Sequence, residues 1–142
     1  PVFWMLLDGG KYAILDRELK IIEISDVYDT SLTQLVGVKA ESVALGEILP
    51  DSKVLLNLIK GAEANSFINA RFSAFYRKVV VEENYIYLTS NTGVIFQLPI
   101  SQNINESVMG SYGYYLYNAS ERGRNSGYIY LDEYGWYWKE SL

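Results

Sequence analysis

Hydrophobic and polar positions alternate in short runs along most of the chain, and this period of two predicts strands. VFWMLL (2–7), KYAIL (11–15) and KIIEIS (20–25), separated by Asp8-Gly9-Gly10 and Asp16-Arg17-Glu18-Leu19, read as a β-meander. The glycine pair supplies the positive φ that a tight turn requires. In the first run Val2, Trp4 and Leu6 alternate with Phe3, Met5 and Leu7, so both faces are apolar. Such a strand sits centrally, or one of its faces is covered by another layer or subunit.

The middle of the chain changes period. Ser31 to Val36 suggests a short helical turn. After Pro50 the pattern predicts a helix near residues 52–60. Asp51 or Ser52 supplies a side-chain oxygen for the free N–H groups of its first turn. Val54, Leu55, Leu58 and Ile59 form its apolar stripe, and Gly61 fits its stop. Residues 62–78 carry two periods at once. Ile68, Phe72, Phe75 and Val79 have helical spacing, whereas Phe72, Ala74 and Tyr76 have strand spacing.

The strand period returns in RKVVV (77–81), NYIYLTS (84–90) and GVIFQLPI (93–100), and three Tyr-rich strands are expected after them. The order predicts eight or nine strands with one or two short helices, in a single domain over residues 1–142. The fold class expected is β-rich α+β, with a largely antiparallel sheet or a partly closed barrel.

The last segment, YGYYLYNASERGRNSGYIYLDEYGWYW (112–138), holds eight tyrosines and two tryptophans. A turn at Asp132-Glu133-Tyr134-Gly135 sets Leu131 opposite Trp136 and Ile129 opposite Trp138. Opposed residues share a face and successive residues switch faces. Ile129, Leu131, Trp136 and Trp138 therefore form an apolar core side, and Tyr128, Tyr130 and Tyr137 lie on the other. If the loop at 118–127 has even length and its flanking strands pair, Tyr115 and Tyr117 join that tyrosine side. A tyrosine face has apolar rings and polar tips, so it tolerates water and gains from being covered. A solvated sheet decorated with good strand formers gives the same pattern. The functional alternatives are a protein interface and a stacking platform for bases or sugars.

Composition removes several chemistries. The 142 residues include no cysteine and no histidine. That excludes disulfides, thiolate catalysis, zinc–cysteine sites and the usual general base. The net charge of −5 is uneven: residues 51–80 carry +3 and the two flanking segments −4 each. An acidic whole argues against broad phosphate-backbone binding. The basic segment 53–78 (Lys53, Lys60, Arg71, Arg77, Lys78) and the loop bearing Arg122 and Arg124 keep a local nucleic-acid contact open. No apolar run reaches the ~18–20 residues of a membrane span, and the expected location is cytoplasmic. The high tyrosine and isoleucine content without cysteine is compatible with a thermophile or one of its viruses.

Four groupings carry candidate chemistry. Asp8 followed by Glu18-Leu19-Lys20 resembles the signature of metal-dependent nucleases, in which two carboxylates hold Mg²⁺ and a lysine stabilises charge. Pro1 ahead of an apolar strand resembles the tautomerase superfamily, whose N-terminal amine acts as a base. That family follows its first strand with a long helix, whereas this chain turns into a hairpin. Asp26 with Asp29, or Asp132 with Glu133, would be paired acids, although all four sit at turn residues. Arg122 and Arg124 flank Gly123 in the loop 120–127 and could clamp a phosphate or carboxylate.

These readings favour a non-enzymatic protein-interaction module without a cofactor or metal. It would bind a protein partner or itself, as a homodimer, through Tyr115, Tyr117, Tyr128, Tyr130 and Tyr137, with Arg122 and Arg124 beside them. The alternative is a nucleic-acid-binding protein or metal-dependent nuclease.

Overall fold

A computed structural model describes residues 1–38, 44–50, 52–64, 72–119 and 121–141. Its strands are β1 (Phe3–Leu6), β2 (Tyr12–Leu15), β3 (Ile21–Ser25), β4 (Thr33–Val36), β5 (Tyr76–Val81), β6 (Tyr85–Ser90), β7 (Val94–Pro99), β8 (Gly127–Asp132) and β9 (Gly135–Lys139). The helices are α1 (Lys53–Ala64), α2 (Phe72–Phe75) and α3 (Ile104–Tyr114), and a wider π-type turn extends α3 over Tyr115–Ala119. None of the described helices is long and apolar enough to cross a membrane.

The nine described strands form one sheet in the order β3-β2-β1-β4-β5-β6-β7-β8-β9. It is open, with β3 and β9 at opposite edges, so the barrel alternative is set aside. It is also mixed rather than largely antiparallel: β4 runs parallel to both β1 and β5, and β8 runs parallel to β7. Parallel neighbours joined in sequence need a crossover. The segment with α1 and α2 crosses from β4 to β5, and α3 crosses from β7 to β8.

The described helices cover one face. Alternation along β6 and β7 sends Ile86, Leu88, Val94, Phe96 and Leu98 to that face, all fully buried. They join Phe3 and Met5 of β1, Leu35 of β4 and Ile129 of β8 in one core with Leu55, Leu58 and Ile59 of α1, Phe72 of α2, and Ile104 and Val108 of α3. Each such side chain contributes about 1.5–3 kcal/mol of transfer free energy, so this face carries the stability.

Several expectations change. Residues 33–36 form a central strand instead of a helical turn, because alternate residues Thr33 and Leu35 are drawn into the core. Gly61 does not stop α1, which continues to Ala64. An added β-carbon there would stand 2.4 Å from the carbonyl oxygen of Asn105, so the glycine serves a close approach of α1 to α3. Asp51, Ile68, Arg71 and Ser120 lie outside the described residues. From Phe72 the helical period holds to Phe75 and the strand period takes over at Tyr76.

Residues 112–117 are helical, so two Tyr-rich strands close the chain instead of three. Ile104, Val108, Ser111, Tyr112 and Tyr115 are buried at i, i+4, i+7, i+8 and i+11, which is one helix face. Gly110 admits Trp136 at that helix: its added β-carbon would lie 2.8 Å from the indole nitrogen.

Candidate functional site

The face opposite the helices follows from the strand registers. One row across it runs Trp4, Gln34, Lys78, Thr89, Ile95, Tyr128 and Lys139, each paired with the next. A second runs Val36, Val80, Tyr87, Gln97, Tyr130 and Tyr137. None of the described helices lies over these rows. Lys78, Val80, Glu82, Tyr87, Thr89, Ile95 and Tyr128 line a shallow depression near the middle. Val80 and Ile95 give it apolar walls, and Lys78 and Glu82 set a cation and an anion on its border. Partial burial, and after it the negative charge of Glu82, pushes the Tyr87 phenol above its usual pKa.

The tyrosines pair as the sequence implies. Asp132 pairs with Gly135, leaving a two-residue turn, and Leu131↔Trp136, Tyr130↔Tyr137 and Ile129↔Trp138 follow. The Tyr130 and Tyr137 rings have centroids 6.0 Å apart. The Lys139 ammonium sits 4.3 Å over the Tyr130 ring, a cation–π contact that keeps its charge beside the row.

At the far side of the sheet the connection from β3 to β4 folds over the same face. Tyr28 stacks on Trp4 at 4.4 Å with an interplanar angle of 20°, and Tyr12 meets both edge-on. Lys11 holds this strap through Asp26 at 2.7 Å, and Asp29 accepts hydrogen bonds from the backbone and hydroxyl of Ser31. The β1 end of the face is thereby covered by the chain itself, and among the described residues no element covers the β5–β9 side.

Tyr115 does not belong to the tyrosine face. It is buried on the helix side against Phe75, Phe96 and Tyr112. Tyr117 is exposed in the π-type turn. Even loop parity had no bearing on either residue, because β8 pairs with β7 and not with the segment before it. Leu131 is on the core side by register yet 38% exposed.

Arg124 lies 4.3 Å over the Trp138 ring, whose indole N–H donates to the carbonyl of Ser126 at 2.9 Å. Trp138 shares the helix-side face with Ile129, so this loop folds away from the tyrosine row. Arg122 is exposed. The basic segment divides in the same way: Lys53 and Lys60 sit on α1, and Lys78 lies on the open face.

The nuclease-like residues are not brought together. Asp8 lies in the β1–β2 turn and Glu18 in the β2–β3 turn, at opposite ends of β2, whose four residues rise about 3.4 Å each. Glu18 and Lys20 donate backbone N–H groups to the Asp16 carboxylate, which builds the turn. Among the described residues no three acidic side chains form a group able to hold a metal ion. Asp132 accepts from the Tyr134 N–H, a turn role.

Sequence reasoning missed Tyr87, Val80, Ile95 and Lys78 as members of the face. The signal was present in YIYL of β6, where Tyr85 and Tyr87 alternate with buried Ile86 and Leu88. No family model matches the chain, and no curated protein shows significant similarity to it.

Proposed function

We propose that this protein is a non-enzymatic interaction module whose open sheet face, from β5 to β9, docks another protein. One observation carries the reading: helices cover one face of a nine-stranded sheet, and the other presents Val80, Tyr87, Ile95, Tyr128, Tyr130 and Tyr137 as a connected apolar and aromatic surface. Tyrosine supplies large contact area with little rotamer entropy to lose, together with a hydroxyl that satisfies polar groups at the rim. The lining of the central depression supports a mixed apolar and charged contact. Val80 and Ile95 fit an apolar side chain, and Lys78 and Glu82 fit flanking groups of opposite charge. Among the described residues the strand registers place two cations in these rows, Lys78 and Lys139, too few for a phosphate-tracking stripe, which favours protein over nucleic acid.

The test is direct. A protein captured from the source cells on the immobilised wild type is purified and titrated onto wild type and Tyr128→Ala. The variant is expected to bind roughly tenfold to a hundredfold more weakly, as for a central aromatic anchor, while losing only about 0.5–1 kcal/mol of its own stability with the cross-strand pair. Equal affinities overturn the face as the contact surface. Capture of nucleic acid, released steeply as salt rises, overturns the protein reading.

A further inference from the structure

The two edges of the sheet are treated differently. At β3 the outer edge is paired at its start: Ile21 donates to the Glu47 carbonyl, Gly46 donates to the Ile21 carbonyl, and Leu49 donates to the Leu19 carbonyl, at 2.8, 2.8 and 3.0 Å. Lys20 and Ile48 form a bridge there, and a register shift bends the strand against β2. These are the devices that keep an edge from adding another strand. At β9 none of them operates among the described residues. Its ladder with β8 is regular from Asp132↔Gly135 to Tyr128↔Lys139, GWYWK contains no proline, and its outer side has no backbone partner among the described residues.

We infer that β9 is the seam of a homodimer, in which a second copy of this chain adds its own β9 antiparallel across a two-fold axis at Tyr137. The register follows from the hairpin. Asp132 and Gly135 flank a two-residue turn as a hydrogen-bonded pair, and hydrogen bonding alternates along an antiparallel ladder. Trp136 and Trp138 therefore turn their N–H and C=O groups outward. A two-fold at Tyr137 sets Trp136 of each copy opposite Trp138 of the other, so both pairs exchange their free backbone hydrogen bonds.

The side chains agree with this register. Tyr137 meets its own counterpart on the open face, which continues the Tyr130–Tyr137 row into the second copy. Antiparallel pairing also brings the Lys139 end of each strand toward the acidic Asp132–Glu133 turn of the other, whereas parallel pairing would set like ends together. Two-fold self-pairing is the commonest closed symmetry, and it leaves no edge to propagate at this seam. The seam shares Tyr137 with the docking face proposed above, but it rests on the strand edge and stands without that reading.

The absence of cysteine makes the register testable. Opposed residues of a non-hydrogen-bonded pair have α-carbons about 4.5 Å apart, within disulfide range. Under mild oxidation Tyr137→Cys is expected to give a disulfide-linked dimer, and Tyr85→Cys, on the same face but three strands from β9 along the sheet, is not. Light scattering across a dilution series is expected to show a wild-type dimer, retained in Tyr137→Phe and lost in Tyr137→Glu, which sets two like charges on the axis. Three results each overturn the proposal: a wild-type monomer at every concentration, cross-linking no greater at position 137 than at 85, or a dimer that survives Tyr137→Glu.

Discussion

Tyr130 and Tyr137 face each other across β8 and β9, on the side of the sheet opposite Ile129 and Trp138. Substitutions on the two sides should separate accordingly. Ile129 is fully buried, so Ile129→Ala is expected to cost about 2–5 kcal/mol through lost transfer energy and the cavity left behind. Tyr130→Ala removes a cross-strand pair on a partly wet face and is expected to cost about 0.5–1 kcal/mol. Leu131→Ala, at the exposed end of the same strand, should cost only about 1 kcal/mol. Urea unfolding of the three variants checks the order. Equal losses at positions 129 and 130 would mean that both faces are core.

Gly61 meets the backbone of Asn105 where α1 approaches α3. Alanine is the better helix former by about 1 kcal/mol, so an exposed Gly→Ala change would stabilise α1. Here the added methyl would stand 2.4 Å from a carbonyl oxygen, and backbone cannot rotate aside as a side chain can. Overpacking of this kind costs about 1–3 kcal/mol, so Gly61→Ala is expected to lower the melting temperature. A rise would show that the helices separate freely.

The strap over Trp4 should respond to acid. The hydrogen bond from Lys11, reinforced by its charge, holds the Asp26 carboxyl below its ordinary pKa. A lowered folded-state value means that the contribution is present above the unfolded value of about 3.9 and is lost as pH falls through the folded one. In Lys11→Ala the Asp26 value, followed by the NMR shift of its carboxyl carbon, should rise toward that ordinary figure. Both groups are largely exposed, so global stability should move little. An unchanged Asp26 titration would show that Lys11 does not hold the strap.

Local pattern was enough where one strand pairs with the next. The face assignments of β8 and β9 follow from a tight turn and strict alternation, because a residue's face is fixed by its parity once the turn length is known. The same holds for the N-terminal hairpin, where Gly9 and Gly10 adopt φ of 89° and 83°. The start of α1 was legible in its apolar stripe.

Only the tertiary structure decided the rest. YGYYLY alternates like a strand, yet it lies in α3 and the turn that extends it. Burial of Tyr112 and Tyr115 against Phe75 and Phe96 rewards the helical period, and the parallel β7–β8 pairing requires a crossover in that place. Thr33–Val36 is too short to declare itself and becomes a strand because β1 and β5 both offer it a ladder. Gly61 reads as a helix stop from one chain segment and as a contact surface only when Asn105 is beside it. The candidate face divides in the same way. Sequence placed Tyr128, Tyr130 and Tyr137 together through neighbouring strands. Joining them to Val80, Tyr87 and Ile95, and leaving that side uncovered, depended on strand order and helix placement, and long-range pairing leaves no mark in local periodicity.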